Sequence, residues 1–344
     1  MTSRRYLVFH TAFLGDIVLV LPLLQALRNS EPSAFIALVT TPAAASIVQG
    51  HPAVDEVIPY AKRTDDRGLK GILRLASSLR SRKFDVALVP HRSLRSALVV
   101  SLARIPQRIG FERSAGRWLF TEVVKYRSRV HEIDRNLDLL VPLGIRPSHR
   151  ILPQLPVNPT ASGIVDSFIE KHEGGPGGKL IAIAPGSVWA TKRWPADRFA
   201  IVARELQAMG HTVLLVGGAE DVLLCNQVAE GSGFAPVVLA GRLSIRESAE
   251  AIRACAVLIT NDSAPQHLGV AVGTPVIAIF GATAPTFGFA PVGPNDHVVE
   301  TLGLECRPCA IHGGRKCPNG TIACMLSIEP TTVVQAVQQI LAHS

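Results

Sequence analysis

Residues 256–281, AVLITNDSAPQHLGVAVGTPVIAIFG, constrain the fold more than any other stretch. Residues 257–260 form an apolar run of strand length. Asn261, Asp262 and Ser263 follow as a polar turn, with side-chain oxygens of the kind that accept from free N–H groups in a helix's first turn. Residues 265–272 then read as a helix, Gly273 as its stop, and 274–280 as a second buried strand. In an open parallel sheet such a turn lies at the carboxyl end of a strand, where ligands bind. The helix N-terminus brings partial positive charge and unpaired N–H donors, which suit a phosphate. Ser263 and His267 are four residues apart and share one helix face. A capped βαβ unit with a surface histidine is the alternative.

The same alternation fills the rest of the chain. In the first half, 6–10, 35–40, 54–60 and 84–90 read as strands. Helices are expected over 16–28, from 40 to 50, from 70 to 82, and over 91–103 and 131–143. Residues 104–125, rich in Arg, Gly and Trp, read as irregular. A Pro-rich and then Gly-rich segment spans 147–179 around one short helix, 161–172, and marks a domain boundary. Alternation restarts with strands at 180–184, 211–216 and 236–239, separated by helices 195–209, 219–230 and 244–254; a last helix covers 330–342. These patterns predict an α/β protein of two Rossmann-like, doubly wound parallel sheets. The domains would be 1–155 and 179–344, joined by a linker over 156–178, with a cleft between them. A length of 344 residues, 47% apolar and 18% charged, fits two such cores.

The net charge of +8 suits an anionic partner, whether nucleotide phosphate, phosphorylated lipid or nucleic acid, and equally suits ordinary solubility. Few aromatics are available for base stacking, which argues against a nucleic-acid partner. Arg4 and Arg5 precede an apolar stretch, but Asp16 interrupts it and the remaining run, 17–24, is too short to span a bilayer. A cytoplasmic protein is expected.

Candidate chemistry sits in the loops after strands. Gly15 permits a tight turn and Asp16 lands at a helix start, as an N-cap or as a general base for a hydroxyl. PGSVWATKRWP, 185–195, offers the hydroxyls of Ser187 and Thr191 and the charges of Lys192 and Arg193, either as a solvated basic loop or as phosphate ligands. Its spacing is not that of a Walker loop. Neither half carries G-x-G-x-x-G after its first strand, which argues against a dinucleotide oxidoreductase. Gly217–Gly218 permits close ligand approach, and Glu220 or Asp221 could accept from ribose hydroxyls or simply favour a helix start. Arg92, Arg95, Arg113, Arg117 and Lys125 form a basic set suited to a phosphorylated acceptor, or to solvated helix faces. Cys306, Cys309, Cys317 and Cys324 are spaced C-x2-C-x7-C-x6-C; they read as reduced thiols, a purification disulfide, or a closed metal site with His312 nearby.

Gly15–Asp16, Lys192–Arg193–Trp194–Pro195, and Asp262–Ser263 through His267 followed by G-x-P-x-x-x-x-F-G together resemble glycosyltransferase family 9. These are ADP-heptose:lipopolysaccharide heptosyltransferases, and the resemblance spans nearly the whole chain. The cysteine-rich stretch looks more like the heptosyltransferase II branch. The resemblance implies a GT-B fold whose last helix often packs back on the first domain. It implies inverting transfer of heptose from ADP-L-glycero-D-manno-heptose to a heptose of the phosphorylated lipid A–core acceptor, at the cytoplasmic face of the inner membrane, with no cofactor for catalysis. By that likeness Asp16 is the base and Lys192 neutralises the leaving diphosphate. Asp262, Ser263, Ala264 and His267 line the donor, Glu220 or Asp221 meets the ribose, and the Leu239–Ala240 backbone meets adenine. Ala264–Pro265 departs from the Gly–Leu of relatives. In some related protein-modifying members a four-cysteine loop holds iron, so zinc or iron remains a candidate at the cysteines. A member with another nucleotide sugar or acceptor, and a non-catalytic nucleotide-binding or nucleic-acid-binding module, are the competing readings.

Overall fold

The computed structural model describes residues 3–170 and 178–343. The C-terminal end of the helix expected over 161–172 and most of the Gly-rich stretch lie outside the described residues. The chain divides into two compact units, Met1–Leu155 and Pro156–Ser344.

The first unit holds strands β1 (Arg5–Phe9), β2 (Phe35–Thr40), β3 (Glu56–Pro59), β4 (Val86–Val89), β5 (Gln107–Phe111) and β6 (Glu122–Val124). The second holds β7 (Leu180–Ala184), β8 (Thr212–Leu215), β9 (Val237–Val238), β10 (Val257–Asn261), β11 (Val276–Phe280) and β12 (His297–Glu300). Every pairing is parallel, with orders β3-β2-β1-β4-β5-β6 and β12-β11-β10-β7-β8-β9. Counted from each unit's own first strand, both run 3-2-1-4-5-6, the doubly wound order. Strand order reverses between β1 and β4 in one unit and between β7 and β10 in the other.

Central strands are buried along their whole length, because helices cover both faces: YLVF in β1, VALV in β4 and VIAIF in β11 are all inside. The second core sets Ile181 and Ile183 against Phe199, Val202 and Leu206 of helix Ala196–Ala208. The last helix, Pro330–Ala342, packs within the second unit. Its apolar positions Val333, Val337 and Ile340, spaced i, i+4, i+7, enter the second unit's own core.

Three strands escaped the sequence reading: β5, β6 and β12. Each is at or next to a sheet edge and is only half buried, so its apolar run is broken by Gln, Arg, His or Glu. Gly110 in β5 also weakens the strand signal, and the fold shows why it is there. A Cβ at Gly110 would stand 2.2 Å from the Phe120 ring, which packs directly on the backbone. The helix read as 16–28 is two, Leu14–Val18 and Leu21–Ser30, broken just before Pro22. The helix expected over 131–143 is α-helical for Glu132–Leu137 and tightens to 3₁₀ over Asp138–Leu143, where Pro142 lies. Among the described residues no helix is long and apolar enough to cross a membrane.

Gly110→Ala should lower stability by about 1–3 kcal/mol through overpacking. Adding Phe120→Leu, which empties the space over the new methyl, should recover part of it in urea unfolding; an unchanged single variant would show that the ring yields freely.

Candidate active site

In the second unit, the loops after β7 and β10 flank the strand-order reversal and are laced together. Asn261, at the end of β10, donates from Nδ2 to Pro185 O at 2.7 Å and accepts at Oδ1 from Trp194 N–H at 3.0 Å. Ser263 donates to Gly186 O at 3.2 Å. It is the N-cap of helix Ala264–Val272, but its side chain makes no cap bond. The polar turn read as capping chemistry therefore ties two strand ends together instead. Gly273 does end that helix, in the left-handed conformation at φ 82°.

Asp262 is the hub. Its Oδ2 lies 2.6 Å from Lys192 Nζ and accepts from Thr283 Oγ1 at 2.7 Å, while Oδ1 accepts from Gln266 Nε2 at 2.8 Å. Lys192 and Asp262 side chains are only 13% and 6% exposed, so the lysine is held in place by a buried partner. His267 is buried beside Gln266 on the same helix. Thr283 and Gln266 were not singled out in the sequence; Gln266 one residue before His267 was the available signal, whereas Thr283 has no local pattern. The 3₁₀ turn Ala190–Lys192 is braced by a distant loop: Thr191 N donates to Gly314 O at 3.1 Å and Gly314 N donates to Thr191 Oγ1 at 2.8 Å. Arg193 Nε donates to Ser187 O at 2.6 Å, so this arginine shapes the loop and holds Ser187 in it. Trp194 anchors the turn, buried with its ring edge-on to Phe199 at 4.9 Å and Nε1 donating to Met325 O at 3.1 Å.

Asp221 lies against the ends of both β7 and β8. It accepts from Gly218 N–H at 3.1 Å, and a Cβ on Gly186 would meet its Oδ1 at 2.2 Å. Burial, first, raises its carboxyl above the ordinary range. Glu220, in contrast, is exposed. Leu239 and Ala240 are buried just past β9, and their N–H groups both donate to Leu215 O.

In the first unit the loops after β1 and β4 flank the corresponding reversal. Asp16 is the third residue of helix Leu14–Val18 and accepts from Phe13 N–H at 3.1 Å. His10 and His91, at the ends of the two strands, stack with centroids 5.6 Å apart. Their Nδ1 atoms are buried without a hydrogen-bond partner among the described residues. Burial and then His91 push His10 down to about 3; burial, Lys62 and Arg92 push His91 down to about 4. Lys62 bonds to Thr11 O. Burial lowers its pKa, with Arg63 and Arg95 adding repulsion. Several cations therefore gather at this edge. Arg92 and Arg113 both lie over Tyr126, at 4.6 and 5.3 Å from the ring centroid. Arg95 turns away from them, donating to Tyr60 OH at 3.1 Å and Asp66 O at 3.3 Å.

The four cysteines of the C-terminal loop differ in exposure. Cys306 and Cys309 are exposed, Cys317 is intermediate and Cys324 is buried. Cys309 Sγ donates to Cys306 O at 3.0 Å. Among the described residues no group of three or more His, Cys, Asp or Glu side chains converges to hold an ion. The four thiols are close enough to act on one another electrostatically, Cys324 with Cys309, Cys317 and Cys306.

Lys192→Met should leave Asp262 buried without its cation and cost about 3 kcal/mol, with Lys192→Met/Asp262→Leu recovering much of it in a thermal-unfolding cycle. Both histidines are neutral in the folded and unfolded chain above their ordinary value of 6.5. As pH falls below that, only the unfolded chain takes up protons, so stability is lost from 6.5 down to about 4 for His91 and about 3 for His10. His91→Asn should flatten the fall in urea midpoint between pH 7 and pH 5, by about 2 kcal/mol at the acid end. A slope equal to that of the unsubstituted protein would remove the neutral-pair account.

Residues 72–319 match the family model for glycosyltransferase family 9 (heptosyltransferase). The chain is 25% identical to lipopolysaccharide heptosyltransferase 2 of Salmonella typhimurium, covering 98% of this chain and 99% of the relative. It is 28% identical to lipopolysaccharide heptosyltransferase 3 of Escherichia coli strain K12, covering 79% and 81%. Among solved structures, the family 9 glycosyl transferase of Veillonella parvula superposes with TM-score 0.88 at 25% identity, covering 99% of this chain and 98% of that one. Escherichia coli ADP-heptose lipopolysaccharide heptosyltransferase II superposes with TM-score 0.81 at 24% identity, covering 98% and 99%. The fold is the GT-B arrangement of doubly wound α/β units, and the chain belongs to glycosyltransferase family 9, the heptosyltransferase family.

Proposed function

We propose that this glycosyltransferase moves L-glycero-D-manno-heptose from its ADP derivative to a heptose of the lipopolysaccharide inner core, with inversion. The observation that carries this reading furthest is the Lys192–Asp262 pair at the strand-order reversal of the second unit. Ligands of doubly wound sheets bind there. The near-full-length likeness to lipopolysaccharide heptosyltransferases supports the choice of donor and acceptor.

In this reading the second unit takes the donor. Lys192 meets the diphosphate, fixed by Asp262, Thr283 and Gln266 so that little reorganisation accompanies departure of the leaving group. The hydroxyls of Ser187, Thr191 and Ser263, the Ala264 N–H and His267 complete the polar lining. Asp262 acts as the lysine's partner more than as a phosphate ligand, since two anions would repel. Asp221, with Glu220 beside it, meets the ribose, and the Leu239–Ala240 backbone borders the adenine. Charge on the departing ADP is met by fixed cations and dipoles, so the chemistry needs no metal from the protein. The first unit takes the acceptor. Asp16 removes the proton from the attacking hydroxyl, and Arg92, Arg95 and Arg113 supply a positive field for a phosphorylated saccharide. The setting is the cytoplasmic face of the inner membrane, where exposed Trp118, Leu69 and Leu73 among basic residues would suit peripheral contact.

Transfer from ADP-heptose to a heptose-bearing core acceptor tests the reading. Asp16→Asn should lower kcat by about 10²–10⁴-fold, the range for loss of a general base, while ADP-heptose binding changes less than about twofold. Full activity in that variant would remove Asp16 as the base. A donor screen in which another nucleotide sugar is used faster would overturn the donor assignment while leaving the family intact.

A further inference from the structure

Three consecutive strand ends of the first unit bring their next residues to one place. Arg92 follows β4, Arg113 follows β5 and Tyr126 follows β6. All three strands are parallel, so these residues share the sheet edge that also carries His10 and the loop to Asp16. The loops are pinned to each other. Ala115 N donates to Arg92 O at 3.4 Å, Glu112 N donates to Val124 O at 2.9 Å, and Tyr126 N donates to the Glu112 carboxylate at 3.1 Å. Phe111 fixes the Tyr126 ring edge-on at 5.4 Å.

Around that ring stand three guanidinium groups, those of Arg135 at 4.5 Å, Arg92 at 4.6 Å and Arg113 at 5.3 Å. Arg135 is buried and fully engaged, by Glu132 and by the carbonyls of Arg127 and Val130. Its role is structural. Arg92 and Arg113 are exposed. Among the described residues neither guanidinium has a carboxylate partner or a side-chain hydrogen bond; the aromatic face is what holds them. Like charges this close repel, and after burial Arg92 adds to the lowering of both Arg135 and His91. Planar guanidinium forks with unused donors match an oxyanion, and ring stacking sets their orientation in advance.

We propose that Arg92 and Arg113, aligned on Tyr126, form a clamp for an oxyanionic substituent of the acceptor saccharide, a phosphate or a carboxylate. Tyr126 is the positioning residue and does not itself meet the substituent. The clamp rests on the reading that the first unit takes the acceptor. It adds to that reading which cations are free to bind: Arg95 is occupied by Tyr60 and Asp66 and is not part of it.

The test is steady-state transfer with the full chain, varying donor and acceptor separately. Arg92→Gln and Arg113→Gln should each raise the acceptor KM about tenfold, the loss of one charge-assisted contact, with the donor KM within about twofold. Tyr126→Leu should raise the acceptor KM several-fold, and Tyr126→Phe, which keeps the ring, should restore it. Acceptors stripped of phosphate, or with reduced carboxyl groups, identify the source: the modification that abolishes the difference between the native protein and Arg92→Gln/Arg113→Gln removes the clamped group. An unchanged acceptor KM in the double variant, or equal changes in both KM values, overturns the clamp. Titration with inorganic phosphate under saturating ADP separates the two ideas. Phosphate binding lost in the double variant, in a protein that transfers no heptose, keeps the clamp and discards the proposed acceptor. Equal phosphate binding by the native protein and the double variant discards the clamp.

Discussion

All the chemistry in this chain depends on strand direction. In a sheet whose strands all run the same way, every strand delivers its following loop to one edge. Where strand order reverses, the two central loops diverge to opposite faces and leave an opening. Here that constraint operates twice with one topology. The β1/β4 reversal receives the Asp16 loop and the His91–Arg92 loop, and the β7/β10 reversal receives the Lys192 loop and the Asp262 turn. The residues with functional signal are far apart in sequence and meet because strand ends must meet.

The two edges are built with different electrostatics. In the second unit the lysine is paired with a buried carboxylate, which is in turn held by a hydroxyl and an amide. A cation fixed that way gives up part of its field and gains a position. At the first unit's edge Arg92 and Arg113 have no carboxylate partner among the described residues, and two neighbouring histidines are held neutral by burial and by nearby cations. One edge suits holding a group at a set point during bond cleavage; the other suits attracting a large anionic molecule.

Much of this was legible from residue order. The alternation of apolar runs with amphipathic helices disclosed two α/β units, and the central strands are so apolar that their placement hardly depends on context. The signature segments, from Gly15–Asp16 to Asp262–His267, disclosed the family. Edge strands were lost because half-burial mixes polar residues into a short run, as in Gln107–Phe111 and His297–Glu300. Asn261 and Asp262 looked like caps because local propensity cannot see that β7 lies beside them. The Lys192–Asp262 pair, the Thr283 bond and the gathering of Arg92 and Arg113 on Tyr126 are products of tertiary proximity, and no spacing rule encodes them.

The reciprocal bonds between Thr191 and Gly314 carry a final consequence. Gly313 packs so tightly on this turn that an added Cβ would stand 3.0 Å from Lys192 Cγ. The stretch around it is irregular and polar, the kind of segment that ordinarily drifts in length between relatives. Here its midpoint is soldered to the turn that presents the lysine. Insertions and deletions should therefore be admissible on either side of Gly313–Gly314 but not through it, so a seemingly free surface excursion inherits the rigidity of the second unit's sheet edge.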